Sequence, residues 1–295
     1  MRLSIIIPTR RLTDQLAVRI EAHRQLFPDA EIIVVEPADL PPADDLPLAD
    51  DLSPADDLSS DHGLRVAASS AGALDGLDQP DQIRKPNLTD RLDQPAGQGI
   101  GGSSSISTDR DVDATATSGI QRLRAPRGRG TQCNAGAARA TGPLLLFLHD
   151  DTALPVEAPD VVSNAFADPR MQIACFRLRF DHAHWLLSTY AFCSRFDSSL
   201  TSFGDQGILI RRSFFAAIGG FPDWPLFEDV DLLSRARQRI RRRIKKLPAV
   251  VTTSAVRFLE NGLLRQQLLN AELMLRFSLG ASPEALRRRY ETRRG

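Results

Sequence analysis

The sequence predicts an α/β fold: a mostly parallel sheet with helices on both faces. Three observations lead there. Residues 3–7 and 31–35 are compact apolar runs rich in β-branched side chains, the first stopped by Pro8. Between them Leu16, Ile20, His23 and Phe27 fall at helical spacing, so the chain opens β-α-β. Both runs are continuously apolar rather than alternating, as strands covered on two faces are.

The pattern stops at residue 37. Residues 42–59 read PADDLP, LADDLS, PADDLS, and Asp-Gln-Pro recurs at 78–80 and 93–95 before GQGIGGSSSISTD. Residues 37–118 hold no Phe, Tyr or Trp and are rich in Pro, Gly, Ser and Asp. They bury too little apolar surface to offset their ordering entropy, which predicts a disordered insertion. The acidic repeat lacks the glycines that shape calcium loops, so a calcium site is not the favoured reading.

A strand is expected again at 120–124. APRGRG then leads into an Ala-rich helix from about Thr131, closed by Gly142 and Pro143. LLLFLHDDTALP, 144–155, reads as a buried strand running into His149, Asp150 and Asp151. An apolar strand near 171–180 and a helix with Trp185, Leu186, Tyr190 and Phe192 follow. GDQGILIRRSFFAAIGGF supplies a strand, a short helix capped by Ser213 and a turn at Gly219-Gly220. LFEDVDLLSRARQRI reads as a helix, and two more close the chain at 263–279 and 283–290, the last with Ser282 as cap and Pro283 at its first position.

The domain reading is therefore 1–36 for the opening β-α-β, 37–118 for the insertion, 119–260 for the rest of the α/β domain and 261–295 for C-terminal helices. At 295 residues and 42% apolar content the chain can bury a large core. Its 37 basic and 37 acidic residues balance, so bulk charge selects neither nucleic acid nor an anionic surface. The distribution is uneven: 36–118 holds 17 acidic and 5 basic residues, 211–295 holds 18 basic and 8 acidic. Cys133, Cys175 and Cys193 lie far apart, which fits buried thiols in a reducing compartment rather than a disulfide or zinc framework. No apolar run approaches the roughly 18 residues of a membrane span, and the first residues are too short in their apolar part for a secretory signal. The expected location is cytoplasmic, with room for a peripheral seat on a membrane.

Ligands of open α/β sheets bind beyond the carboxyl ends of the strands, where His149, Asp150 and Asp151 are expected. Adjacent carboxylates repel unless a cation or hydrogen-bond donors offset them; a divalent metal and a simple Asp turn both account for the pair. Arg127 and Arg129, set among glycines before a helix start, suit an anion such as a diphosphate, or a solvated basic loop. Glu228, Asp229 and Asp231 fall in a first helical turn, where the dipole favours negative charge and where a general base can be supplied.

Together SIIIPTR, EIIVVE, RGRGTQCNAGAARATGPLLLFLHDDTALP, GDQGILIRRSFFAAIGGFPDWPLFEDVDL and SPEALRRRY resemble a family 2 glycosyltransferase of GT-A fold. More narrowly they resemble the radical-SAM and selenodomain-associated transferase branch. The resemblance spans nearly everything outside 37–118. It implies inverting transfer of a sugar from a nucleotide-diphosphate sugar, with a divalent cation, Mn2+ or Mg2+, at the diphosphate and a base at the acceptor hydroxyl.

Carried over residue by residue, the resemblance makes Asp151 the metal ligand, with His149 and Asp150 beside the donor at a motif the branch usually writes His-Ala-Asp-Thr. Asp229 matches the base, with Glu228 next to it. Asp205 and Gln206 match a Gly-Asp-Gln-Gly placed near the acceptor. Pro8, Thr9, Glu36, Arg127, Arg129 and Asn134 fall on the donor side. The family follows its first strand with Asn-Glu and its second with Asp-Gly-Gly-Ser-Thr-Asp; this chain has Arg10-Arg11 and Glu36-Pro37-Ala38-Asp39 instead. The nucleobase half is altered, so the alternative is a non-catalytic GT-A binding or scaffold protein. A nucleotidyltransferase is the weaker third reading, because the Gly-Gly-Phe to Glu-Asp spacing belongs to sugar transfer.

The basic run 235–247 reads as a solvated helical face and loop. With the Leu-rich 263–279 and LRRRY it also suits an anionic leaflet, and through it a lipid-linked acceptor. No aromatics interleave with these arginines, which disfavours nucleic acid.

Overall fold

The computed structural model describes residues 2–39 and 120–294. The expected insertion lies outside these residues except for Pro37, Ala38 and Asp39. In chain order the elements are β1 (Leu3–Pro8), α1 (Asp14–Leu26), β2 (Glu31–Pro37), β3 (Ile120–Ala125), α2 (Arg129–Arg139), β4 (Leu144–Phe147), β5 (Thr152–Ala153), α3 (Ala158–Phe166), β6 (Ile173–Phe180), α4 (Trp185–Cys193), β7 (Ile208–Arg211), α5 (Arg212–Ala217), α6 (Glu228–Ile240), β8 (Lys245–Thr253), α7 (Val256–Asn261), α8 (Leu263–Ser278) and α9 (Pro283–Arg294). The strands form one sheet in the order β3-β2-β1-β4-β7-β6-β8-β5.

The fold is α/β, as the apolar runs predict. β3, β2, β1 and β4 are parallel neighbours, β6 is parallel to β8, and the antiparallel pairs are β4–β7, β6–β7 and β5–β8. Every residue of β1, β2 and β4 is buried, and alternate side chains feed two different cores. Ile5, Ile7, Ile32 and Val34 join Leu16, Ile20 and Phe166 on the α1/α3 face. Ile6, Ile33, Val35, Leu145 and Phe147 join Cys133, Phe215 and Leu232 on the α2/α5/α6 face. A fully buried Ile or Leu contributes about 1.5–3 kcal/mol, so both faces of these strands stabilise the same register.

α2 lies close on β1 because Gly136 has no side chain; a Cβ there would stand 2.5 Å from Ile6 Cγ2. At the far end of the sheet the buried Glu31 accepts hydrogen bonds from Ser4 Oγ and from the backbone N–H groups of Thr141 (2.5 Å) and Gly142 (3.0 Å). Burial alone would raise its pKa, but these donors hold it below the usual carboxylate range.

Several elements differ from expectation. α2 begins at Arg129, two residues early, and Ser213 lies inside α5 rather than capping it, since the Arg212 N–H already bonds Pro143 O at 2.9 Å. Ser282 does cap α9, accepting from Ala285 N at 3.3 Å. The strand β8 was masked in the sequence by its lysines and Pro248. Its register against β6 slips between Cys175 and Arg177, and Pro248 is exposed where the missing N–H costs no ladder bond.

The basic run is also less solvated than expected. Arg235 bonds Asp231 and the carbonyls of Ile218 and Gly220, Arg237 pairs with the buried Asp197 at 2.7 Å, and Lys246 bonds Gln206. α8 and α9 pack through Leu269, Leu273 and Leu286 onto Leu226 and Phe227, just before α6. Among the described residues no helix is long and apolar enough to cross a membrane.

Candidate active site

β1, β2 and β4 run parallel and so end together, which gathers Thr9, Glu36 and His149–Asp151 at the carboxyl ends of these strands. Gln132 of α2, a residue the sequence reading passed over, joins the first two. Its buried amide donates to Thr9 O at 2.9 Å and Val35 O at 2.7 Å. Thr9 Oγ1 lies 2.8 Å from Asp150 Oδ2 and can donate to it, and Arg19 bonds the Asp150 carbonyl at 3.1 Å. Asp150 is thereby turned towards β1.

Asp151 points the other way. Its Oδ1 accepts from Thr152 and Thr253 hydroxyls at 3.3 and 3.2 Å, and its Oδ2 lies 3.5 Å from Arg257 Nη2. The side chain remains 25% exposed, so this carboxylate is reachable by an incoming group.

Pro8, Arg129, His149, Gly204, Phe221 and Asp229 line one narrow pocket. His149 Nε2 is buried and without a hydrogen-bond partner. Burial, reinforced by Arg129 and Arg257, holds its pKa well below the usual imidazole value, so the ring is neutral. A Cβ on Gly204 would stand 2.9 Å from that nitrogen and 3.1 Å from Asp229 Oδ2, so a side chain here would displace both groups.

Asp229 starts α6. Its Oδ2 accepts from Gly204 N at 2.5 Å and its Oδ1 from Val230 N at 2.8 Å, which fixes the carboxylate plane and leaves a lone pair on each oxygen. The preceding Phe227 takes a left-handed conformation, φ 63°, with its ring packed on Phe277 at 4.8 Å; the strained turn sets the direction in which Glu228 and Asp229 enter the helix. Glu228 is 3% exposed and lies 3.5 Å from Arg129. Burial, with Asp229 adjacent, pushes its carboxyl up to about 7 against the pull of Arg129. Asp205 is likewise pushed up to about 7, by burial and then by Asp229 and Asp151.

The remaining candidates are engaged elsewhere. Glu36 accepts from Arg122 at 3.0 Å and from Leu12 N at 3.2 Å. Asn134 exchanges two 2.9 Å bonds with the backbone N–H and C=O of Phe221, clamping the Gly220–Phe221 turn to α2. Gln206 is fully buried, bonded to Thr201 O and Lys246. Arg127 pairs at the surface with Asp39 at 3.0 Å.

No described group of three His, Cys, Asp or Glu side chains can hold a metal ion alone. The donors fit a shared site instead: Mg2+ is commonly held by one or two carboxylates together with substrate phosphates, and Asp151 offers one such carboxylate. Gln132, Arg122, Thr253 and Arg257 are not legible as site residues in the sequence because each acts on a partner remote in the chain.

No protein-family model matches this sequence, and no curated protein matches it. Its fold is similar to that of S. aureus TarS 1–349, with 11% identity, 88% of this chain and 62% of that one covered, and a TM-score of 0.47. For the same fragment in complex with UDP-GlcNAc the values are 11%, 86%, 58% and 0.48. For the mannosyltransferase PcManGT from Pyrobaculum calidifontis in complex with GDP-Man and Mn2+ they are 13%, 96%, 66% and 0.47. The chain spans under two thirds of each of these structures, and the likeness is one of shape alone.

Proposed function

We propose that the chain is a metal-assisted, inverting glycosyltransferase of the GT-A, family 2 kind. It would move a sugar from a nucleoside-diphosphate sugar to an acceptor hydroxyl. The observation that supports this reading is the convergence of Asp229, His149 and Arg129 on one narrow pocket, with the part-exposed Asp151 two residues beyond His149. A base, a cation-seeking carboxylate and an anion-seeking guanidinium then stand where an open α/β sheet binds ligands.

In this reaction the acceptor O–H gives its proton to Asp229 as its oxygen forms the new bond to the anomeric carbon. The bond from that carbon to the diphosphate breaks on the opposite face, and the electron pair leaves with the diphosphate. The two N–H bonds on Asp229 hold it in place for that proton, and Arg129 offsets charge growing on the leaving group. A divalent cation held by Asp151 would add charge stabilisation of the same kind. Neutral His149 adds no charge to the pocket.

This reading puts the acceptor on the side of Gly204 and α4, where apolar side chains are found. Tyr190 stacks on Phe203, next to Gly204, at 6.2 Å and 17°, and α4 with its following turn exposes Trp185, Phe192, Phe196 and Leu200. That surface supports an acceptor with a hydrophobic carrier, such as a lipid-linked sugar. Membrane contact through 235–247 rests on fewer cations than the sequence suggests, since Arg235, Arg237 and Lys246 turn inward.

One observation favours the scaffold reading: Glu36, at the nucleobase end, is already bonded to Arg122 and Leu12. Calorimetric titration of the full chain with nucleoside diphosphates and nucleotide sugars, with and without Mn2+, separates the two. Binding strengthened by Mn2+ is expected, with that dependence lost in Asp151→Asn and turnover but not binding lost in Asp229→Asn. If no nucleotide binds at millimolar concentration, the transferase reading fails and the scaffold reading stands.

A further inference from the structure

α8 carries two apolar faces on opposite sides. Inward, Leu269, Leu273 and Met274 are 5%, 4% and 8% exposed. Outward, Leu264, Leu268, Leu275 and Leu279 are 62%, 71%, 60% and 78% exposed, with exposed Ala271 between them. Residues 264, 268, 271 and 275 alternate steps of four and three, the spacing of a helix-pairing seam, and all fall within one narrow stripe. The seam is apolar along about three helical turns.

The charges beside the stripe select its occupant. Arg265, Glu272 and Arg276 line one flank, and Glu272 accepts from Arg276 at 2.8 Å and Arg289 at 2.5 Å. Glu272 ties Arg276 and Arg289 into intramolecular pairs, which leaves fewer cations to hold an anionic leaflet. A flank with both signs suits a second helix carrying the same signs in reverse order. Set antiparallel about a two-fold axis, Leu264 packs on Leu275 of the partner subunit, and Leu268 on Ala271 of the partner subunit. Arg265 then faces Glu272 of the partner subunit.

We propose that α8 pairs antiparallel with α8 of a second copy of this chain through Leu264, Leu268, Ala271 and Leu275. A seam of this length lies near the lower end of specific interfaces, about 1,000 Å² in total, so the dimer is weak and concentration-dependent. It is self-complementary and closes.

Sedimentation equilibrium of the full chain over a wide concentration range is the test. The apparent mass is expected to rise from one chain towards two, while Leu268→Glu and Leu275→Lys stay at one chain with an unchanged circular dichroism spectrum. Because these leucines face solvent in the monomer, the variants should fold. Mild oxidation checks the register: Leu268→Cys with Ala271→Cys should cross-link to a dimer, and Leu268→Cys alone should not, measured against the unaltered chain. A single-chain mass at the highest concentration overturns the proposal, as does a dimer untouched by both charge substitutions or equal cross-linking by Leu268→Cys alone. Flotation of a monomeric protein with phosphatidylglycerol vesicles, abolished by Leu268→Glu, would assign the stripe to lipid instead.

Discussion

The backbone N–H of Gly204 donates to Asp229 Oδ2 at 2.5 Å, tying the loop before β7 to the first turn of α6. The bond holds the proposed base in place, and the absent side chain leaves room for His149. Gly204→Ala would push on both. Activity is expected to fall by roughly 10²-fold, as small misplacements at reacting groups do, with a stability cost of about 1–3 kcal/mol from overpacking. Steady-state rates beside a urea melt check it; unchanged turnover would remove Asp229 from the role of base.

Asp150 and Asp151 are neighbours whose carboxylates face different partners, Thr9 for the first and Thr253 with Arg257 for the second. Asp150→Asn keeps an oxygen to accept from Thr9, so activity should stay within about 3-fold. Asp151→Asn should lower activity by roughly 10²-fold and abolish its dependence on Mn2+. Metal titrations of both variants decide between them; the reverse order of effects would move the ligand to Asp150.

Asn134 makes both of its amide bonds to the backbone of Phe221. Removing its two bonds to Phe221 is expected to cost about 1–3 kcal/mol in Asn134→Ala, read as a lower urea midpoint. Nucleotide affinity measured well below the melting temperature should change little. A large affinity loss at unchanged stability would make Asn134 a donor contact.

Asp205 carries a testable pH dependence. Its carboxyl, raised from 3.8 to about 7 by burial, Asp229 and Asp151, keeps a proton in the folded state that the unfolded chain has lost. Native protein therefore binds more protons across that window, and stability falls as pH rises through it, then levels off. Asp205→Asn should flatten the fall and be more stable than the parent above about pH 7, by on the order of 1–3 kcal/mol. Urea unfolding at a series of pH values reads the slope directly; parallel curves for the two proteins would show that Asp205 is not buried as described.

The strands of the first half could be read from local pattern because burial on both faces demands unbroken apolar runs, as in residues 3–7 and 31–35. β8 could not, because its lysines and Pro248 hide an alternating strand that pairs with β6 across a slipped register. The candidate site divides in the same way. Asp151 and Asp229 stand out as acidic residues at the end of a strand and the start of a helix. Gln132 reads as one more polar residue of an Ala-rich helix until its amide is found on Thr9 and Val35.

Sequence alone determined the α/β class, the order of most elements and the residue types available for chemistry, since these follow from local periodicity and strand-end position. Only the tertiary structure decided which partners those residues take up. Asp150, Asn134, Gln206 and Glu36 look unpartnered in the sequence. Their polar atoms are satisfied by groups more than twenty residues away, as with Leu12 on Glu36 and Phe221 on Asn134, or turned inward, as with Gln206 on Lys246. A buried polar atom must find such a partner or lose the free energy of its hydration, and that partner exists only once the chain has folded.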